Sequence, residues 1–194
     1  VFTNRTGSNF SRGVVAALLG EIDIYGNLDA DIAVLELDEA HAVHFVDKIK
    51  PKYSLILNVM RDQLDRFGEI DHTANMLRHI ANQTTDAVVL NREDPQISNI
   101  AKSLEEQRVY FFGLDDDLLK IFPSDSNFHS CDTKRHEHIN ADVVLLEYSN
   151  NTAVFEINKN KITTKLKING LYNIFNATAA IALVRAIVGN SLNQ

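Results

Sequence analysis

"DAVVLNREDPQISNIAKSLEEQRVYFFG", residues 86–113, decides the fold class. "DAVVLN" (86–91) is an apolar run of strand length. Pro95 then stands at the first position of a helical segment, "DPQISNIAKSL", where its missing N–H and fixed φ do no harm. "RVYFFG" (108–113) is a second strand. A strand, a helix and a strand in succession are the unit from which parallel α/β sheets are built.

The alternation continues outward. Upstream, "YSLILN" (53–58) reads as a buried strand. "DHTANMLRHIANQ" reads as a helix with Ala74, Leu77, Ile80 and Ala81 on one face and Asp71 as its cap. "EAHAVHFVDKI" reads as a helix that ends before Pro51, because the proline ring disfavours helix in the residue before it. "DIAVLEL" (31–37) is almost continuously apolar, the pattern of a strand buried on both faces. "SRGVVAALLG" reads as a helix with Ser11 as N-cap and Gly20 as its stop, and "VFTN" as the end of a strand.

Downstream the pattern changes. Residues 114–141 are polar, with the run Asp115 to Asp117 and a histidine cluster, and read as an insert. "TAVFEI" and "ITTKLKI" alternate, with turn chemistry at "SNN" and "NKN", so residues 142–168 read as a small antiparallel meander. "LYNIFNATAAIALVRAIVG" (171–189) closes the chain as a long, mostly buried helix.

A length of 194 residues suits one domain spanning 1–194. The net charge of −7 argues against a general nucleic-acid or anionic-membrane binder, though a local basic pocket could still take an acidic substrate. The single cysteine, Cys131, allows neither an intramolecular disulfide nor a Cys-only zinc site. No apolar run reaches transmembrane length, since "ATAAIALVRAIVG" is interrupted by Arg185, and the N-terminus shows no signal peptide. A cytoplasmic location is expected.

In an open parallel sheet, ligands bind beyond the carboxyl ends of the strands. Three such ends carry polar groups: Asn4, Thr6 and Asn9 in "VFTNRTGSN"; Glu36, Asp38 and Glu39 in "AVLELDEA"; and Asn58, Asp62, Gln63, Asp65 and Arg66 in "LILNVMRDQLDR". An acid directly after an apolar strand is where nucleotide-hydrolysing folds place a Mg2+ ligand; it can equally cap the next helix. No GxxxxGK[ST] phosphate cradle occurs, and "RTGSNFSRG" lacks the lysine and the hydroxyl that would make it one. The residues alone therefore reach an α/β domain with an anion- or metal-binding edge.

"NRTGSNFSRGVVAALL", "AVLELDEA", "LNVMRDQLDRFGEID", "VVLNREDP" and "NGLYNIFNATAAIAL" together resemble the central domain of the Mur ligase family, in the order seen there. They look most like its MurT branch, the synthetase subunits of lipid II isoglutaminyl synthase. The resemblance covers about residues 1–113 and 160–189. It implies a mostly parallel, Rossmann-like sheet flanked by helices. It also implies that a GTNGKTT-type phosphate loop lies before residue 1 and a further domain after residue 194, so that this chain alone binds ATP poorly and does not turn it over.

The function implied is ATP-dependent amidation of the D-glutamate α-carboxylate in the lipid II stem peptide, through an acyl phosphate. Ammonia would come from a GatD-like glutaminase subunit, at the inner face of the membrane. By resemblance Glu36 binds Mg2+, Asn173 and Asn176 lie near the adenine with Gly170 before them, and Asn4, Thr6 and Asn9 form the loop facing phosphates and substrate. Asn58 belongs to the same nucleotide edge.

Three positions depart from the wider family pattern. Gln63 stands where many relatives keep a metal-binding histidine, and is a weaker Mg2+ ligand. Arg78 stands where amino-acid-adding ligases carry a carbamylated lysine; it cannot be carbamylated in that way but supplies a permanent cation. Both weigh against a Mur- or folylpolyglutamate-type amino-acid-adding ligase, the second reading. The third departure is from the MurT branch, which usually carries a four-cysteine zinc ribbon here: only Cys131 remains, with His129, His136 and His138, so a solvated loop without zinc is expected. A third reading is a non-catalytic assembly domain for an amidotransferase partner. His41 and His44 are expected at a solvated helix edge, Asp115 to Asp117 in a solvated turn, and Arg66 in an ion pair.

Overall fold

The computed structural model describes residues 1–4, 9–59, 69–119, 139–168 and 170–189. The chain divides into two compact units, Val1–Lys50 and Pro51–Gln194.

In the first unit, β1 (Phe2–Thr3) pairs in parallel with β2 (Ala33–Val34), with Phe2 opposite Ala33 and Thr3 opposite Val34. The strand expected over 31–37 and buried on both faces is instead two residues long, and residues 31–34 are exposed. A continuous apolar run signals double burial only where strands and helices cover it, and among the described residues β2 pairs with β1 alone. Two helices follow their strands, α1 (Ser11–Glu21) and α2 (Glu39–Val46). Ser11 is already inside α1; the N-cap is Phe10, which makes no side-chain cap bond. Gly20 does not stop the helix, which runs to Glu21 and closes with the Ile22 N–H donating to Leu18 O at 3.0 Å. Asp38 caps α2, its carboxylate accepting from Ala40 N at 3.1 Å. That helix ends well before Pro51, as the sequence implies.

The second unit is a six-stranded sheet in the order β3 (Tyr53–Ile56), β4 (Ala87–Asn91), β5 (Arg108–Leu114), β6 (Val143–Ser149), β7 (Thr152–Ile157), β8 (Asn160–Lys165). β3 through β6 run parallel and β6 through β8 antiparallel, so the expected meander continues the main sheet instead of forming its own. Its turns hold Asn150, Asn151, Asn158 and Lys159 at positive φ, the geometry that matches the twist of a two-residue hairpin and that, after glycine, asparagine tolerates best.

Between β3 and β4 lies α3 (Glu69–Gln83), with Ala74, Leu77, Ile80 and Ala81 all buried on one face. Asp71 is not its cap, because the helix already starts at Glu69. An acid inside the first turn interacts with the same helix dipole that a capping acid serves, so the two placements leave the same sequence signal. Between β4 and β5, α4 (Pro95–Ser98) runs into a 3-10 turn, Asn99–Ser103. All five residues of β4 are buried, as in the interior strand of a covered parallel sheet.

The closing helix, α5 (Leu171–Val188), packs on β3 to β6 through Ile174, Thr178, Ala179, Ala182 and Ala186. Three small alanines on that face let the helix approach the strands closely. It is less buried than its composition implies, since Tyr172, Val184 and Val188 face outward. Contrary to the expectation that no apolar run reaches transmembrane length, α5 is long and apolar enough to cross a membrane by length and composition, because one arginine in eighteen residues does not offset the rest. Its packed face gives it the structural role of a sheet-covering helix.

Candidate functional site

The first unit brings two of the predicted strand ends together. Asn4, directly after β1, is buried. Its Oδ1 accepts from the Glu36 N–H at 3.0 Å and its Nδ2 donates to Glu36 O at 2.7 Å. Asn9 O accepts from the Asp38 N–H at 2.9 Å. Both flanks of residues 5–8 are thus tied to residues 36–38, while the Glu36 side chain stays exposed. Thr6 lies outside the described residues. His41 packs its ring against Phe10 at 4.6 Å between centroids, and His44 is exposed, as expected for a solvated helix edge.

The second unit builds its own edge at the carboxyl ends of β3, β4 and β5. Asn58 follows β3 and is exposed. Val59 N donates to Asp94 Oδ2 at 2.8 Å, and Asp94 Oδ1 caps α4 by accepting from Gln96 N and Ile97 N. One carboxylate therefore joins the segment leaving β3 to the helix following β4. Next to it, Glu93 Oε1 accepts from Arg92 Nε at 2.9 Å and from Leu114 N at 2.8 Å. Arg92 Nη2 donates to Leu114 O, and its Nη1 donates to Ile139 O at 3.4 Å. Leu114 and Ile139 stand near the two ends of the expected insert, so a single guanidinium reaches both. Gly113 makes room for the pair: a Cβ there would stand 2.7 Å from Arg92 Nε.

The amino end of α5 lies at this same edge, because Ile174 joins a core cluster with Leu114 and Leu118 while Ala186 O is reached from Arg108, the first residue of β5. Asn173 and Asn176, one turn apart at that end, are exposed. Gly170 precedes them with φ at 96°, a backbone that side chains rarely adopt, and its carbonyl accepts the Ile174 N–H at 3.2 Å. Arg78 is half-buried past the midpoint of α3 and donates to Asn75 Oδ1 at 2.9 Å. Asp115 to Asp117 form a turn, with Asp115 Oδ1 accepting the Asp117 N–H at 3.1 Å. Gln63, Asp62, Asp65, Arg66, His129, Cys131, His136 and His138 lie outside the described residues.

Arg92, Glu93 and Asp94 were not among the predicted site residues. The signal was present in "NREDP": three charged residues between a fully buried strand and a helix-starting proline must either face solvent or hold backbone, and here they hold backbone. Among the described residues no group of three or more His, Cys, Asp or Glu could hold an ion. Glu36 offers one exposed carboxylate, a donor of the kind Mg2+ takes singly or in pairs, completing its shell with waters and phosphate oxygens.

The Mur ligase middle domain family model matches residues 24–184. The chain belongs to the Mur ligase family. It is similar to the MurT subunit of the glutamine-hydrolyzing lipid II isoglutaminyl synthase of Streptococcus pneumoniae, at 31% identity over 98% of this chain and 47% of that protein. Among solved structures it is similar in fold to MurF from Acinetobacter baumannii, with a TM-score of 0.69 at 19% identity over 96% of this chain and 37% of that one. It is also similar in fold to the MurF ligase of Thermotoga maritima in complex with ADP, with a TM-score of 0.63 at 18% identity over 96% and 39%. The chain thus spans less than half the length of the Mur ligases it matches.

Proposed function

We propose that this chain is the middle domain, residues 1–194, of an ATP-dependent ligase that amidates the D-glutamate α-carboxylate of the lipid II stem peptide. The observation that carries the reading is the 31% identity to a MurT subunit along 98% of the chain. In the reaction, a carboxylate oxygen of the acceptor takes the γ-phosphoryl group of ATP and releases ADP. Ammonia then adds to the acyl carbon, inorganic phosphate leaves with the C–O bond, and the nitrogen sheds a proton. The ammonia comes from a GatD-like glutaminase subunit, and the work is done in the cytoplasm beside the lipid-linked substrate.

Each residue has a role suited to its chemistry. Glu36 would hold Mg2+, which when bound neutralises phosphate charge. Gln63, standing where relatives keep a histidine, would be a weaker neutral ligand for Mg2+, and Arg78 supplies a fixed cation where a carbamylated lysine would be needed for amino-acid addition. Asn173 and Asn176 carry amides at the exposed end of α5, able to pair with both donor and acceptor edges of an adenine. Asn58 and Asn9 stand on segments leaving the strands, where phosphates bind in open α/β sheets, and Thr6 takes the same role by its place in the family motif.

The test uses the full-length protein with its glutaminase partner, lipid II, ATP and glutamine. Mass spectrometry should show the stem-peptide carboxyl converted to a carboxamide, dependent on ATP, and abolished by Glu36→Gln. Addition of an amino acid to the acceptor would overturn the amidation reading in favour of an amino-acid-adding ligase. No ATP-dependent change, with the glutaminase still bound, would leave an assembly domain instead.

A further inference from the structure

We infer that Asn4 is the positioning residue for Glu36, acting through its backbone; this rests on the metal role proposed for Glu36. The β1–β2 ladder ends at Thr3 and Val34, two residues short of Glu36. The Asn4 carboxamide continues it, receiving the Glu36 N–H at 3.0 Å and donating to the Glu36 carbonyl at 2.7 Å. A side-chain amide thus does for one residue what a partner strand does for several: it meets both backbone groups at once and fixes the peptide planes on each side of the Cα. The direction of the Glu36 Cα–Cβ bond follows from those planes.

Three further observations support this role. Asn4 is buried, 7% exposed, and a buried amide must have hydrogen-bond partners. Both polar atoms of the Asn4 amide are engaged by the Glu36 backbone, one as donor and one as acceptor. On the other side, the Asp38 N–H is held by Asn9 O at 2.9 Å, so the segment bearing Glu36 is tied before and after its carboxylate. Only an amide meets both requirements at position 4. Aspartate keeps the acceptor but sets an anionic oxygen against the Glu36 carbonyl, and alanine or leucine leaves both backbone groups unpaired.

The test compares full-length wild type with Asn4→Ala, Asn4→Asp, Glu36→Gln and the double variant Asn4→Ala/Glu36→Gln. Amide hydrogen exchange reads the Glu36 N–H directly. Its protection should be lost in Asn4→Ala and retained in part in Asn4→Asp, which keeps the question open to measurement if the alanine variant fails to fold. Mn2+ binding in the presence of ADP, followed by water-proton relaxation, should weaken about 10–100-fold in Asn4→Ala, the range for lost second-sphere support. The KM for lipid II should not move. In the Glu36→Gln background Asn4→Ala should add no further loss of Mn2+ binding, because the two act as one unit. Unchanged Glu36 protection or unchanged Mn2+ affinity in the position 4 variants overturns the inference and leaves the ligase reading intact. A full, additive Asn4→Ala effect in the Glu36→Gln background also overturns it. Wild-type Mn2+ binding and amidation by Glu36→Gln overturns both.

Discussion

Two of the arginine–carboxylate pairs of the six-stranded sheet, one at its carboxyl edge and one at its amino edge, are built for different ends. At the carboxyl edge, Arg92 and Glu93 are 14% and 16% exposed, and their remaining bonds go to backbone: Leu114 N, Leu114 O and Ile139 O. At the amino edge, Arg108 and Asp86 are 48% and 28% exposed. Arg108 donates there to Asp86 Oδ1 at 2.8 Å, to the Tyr110 hydroxyl at 2.8 Å and to Ala186 O at 3.2 Å. The first pair fixes where chain segments leave the sheet, which is where an open α/β fold presents its ligand site. The second fastens the end of a helix from outside. Sequence composition cannot separate them, since both are one Arg and one acid beside a strand. Burial and the identity of the acceptors do.

The sharpest way to break the comparison is Glu93→Ala. It removes the acceptor of Leu114 N and leaves a largely buried guanidinium without its counter-charge. About 3 kcal/mol of stability should be lost, the low end for breaking a buried pair, because some solvent still reaches it. Urea unfolding measures this; a loss within the range of surface substitutions would show that the carboxyl-edge pair is no different from the amino-edge one.

Gly113→Ala approaches the same site from the opposite strand. A new Cβ would press on the Arg92–Glu93 pair, with Arg92 Nε only 2.7 Å away. The expected loss is about 2 kcal/mol, as for other overpacked positions. In a Glu93→Ala background one clashing side chain is gone and Arg92, released from its carboxylate, can turn aside, so the double variant should be more stable than the sum of the two losses predicts. Strict additivity would mean that the glycine serves something other than the ion pair.

Asp94→Asn sharpens the role of that edge more gently. Asparagine keeps one carbonyl oxygen, so either the α4 cap or the Val59 N–H loses its acceptor, at about 1 kcal/mol. Hydrogen exchange at Val59 distinguishes the two cases. Faster exchange at Val59 with an intact α4 would identify the link to the β3 segment as the weaker of the two bonds.

These residues also show how far the sequence could be read. β3, β4 and β5 were legible because an apolar run bounded by polar residues has few other uses, and α3 because its four buried positions keep helical spacing. β2 was not, because "DIAVLEL" reports hydrophobicity and not what lies beside it. The helix starts at Ser11 and Asp71 were misplaced for a related reason: small polar and acidic residues suit both the cap and the first turn. At the site, the polar strand ends of the first unit were legible as a group, while the roles within it were not. Asn4 and Glu36 are 32 residues apart in sequence, and only the parallel register of β1 and β2 reveals that one holds the other's backbone. "NREDP" was visible as a strand end and a helix start, but a charge cluster carries no mark that says its acceptors are backbone atoms.

The smallest effect belongs to the amino edge. The hydrogen bond from Arg108, with lesser charge contributions, holds the Asp86 carboxyl below its ordinary value of 3.8 and raises Arg108 in turn. A carboxyl lowered in the folded state stabilises fully above its unfolded value and loses that contribution as pH falls through the lowered one. Asp86→Asn should therefore lower the melting temperature slightly at neutral pH, and the gap to wild type should close as the pH drops below the ordinary value of 3.8. Because the pair is exposed, added salt should shrink the same gap at neutral pH. The Glu93→Ala loss should resist salt, since its partners are backbone groups and a guanidinium out of reach of most counterions. Equal salt sensitivity at the two edges would erase the distinction between a pair that builds a site and a pair that fastens a helix.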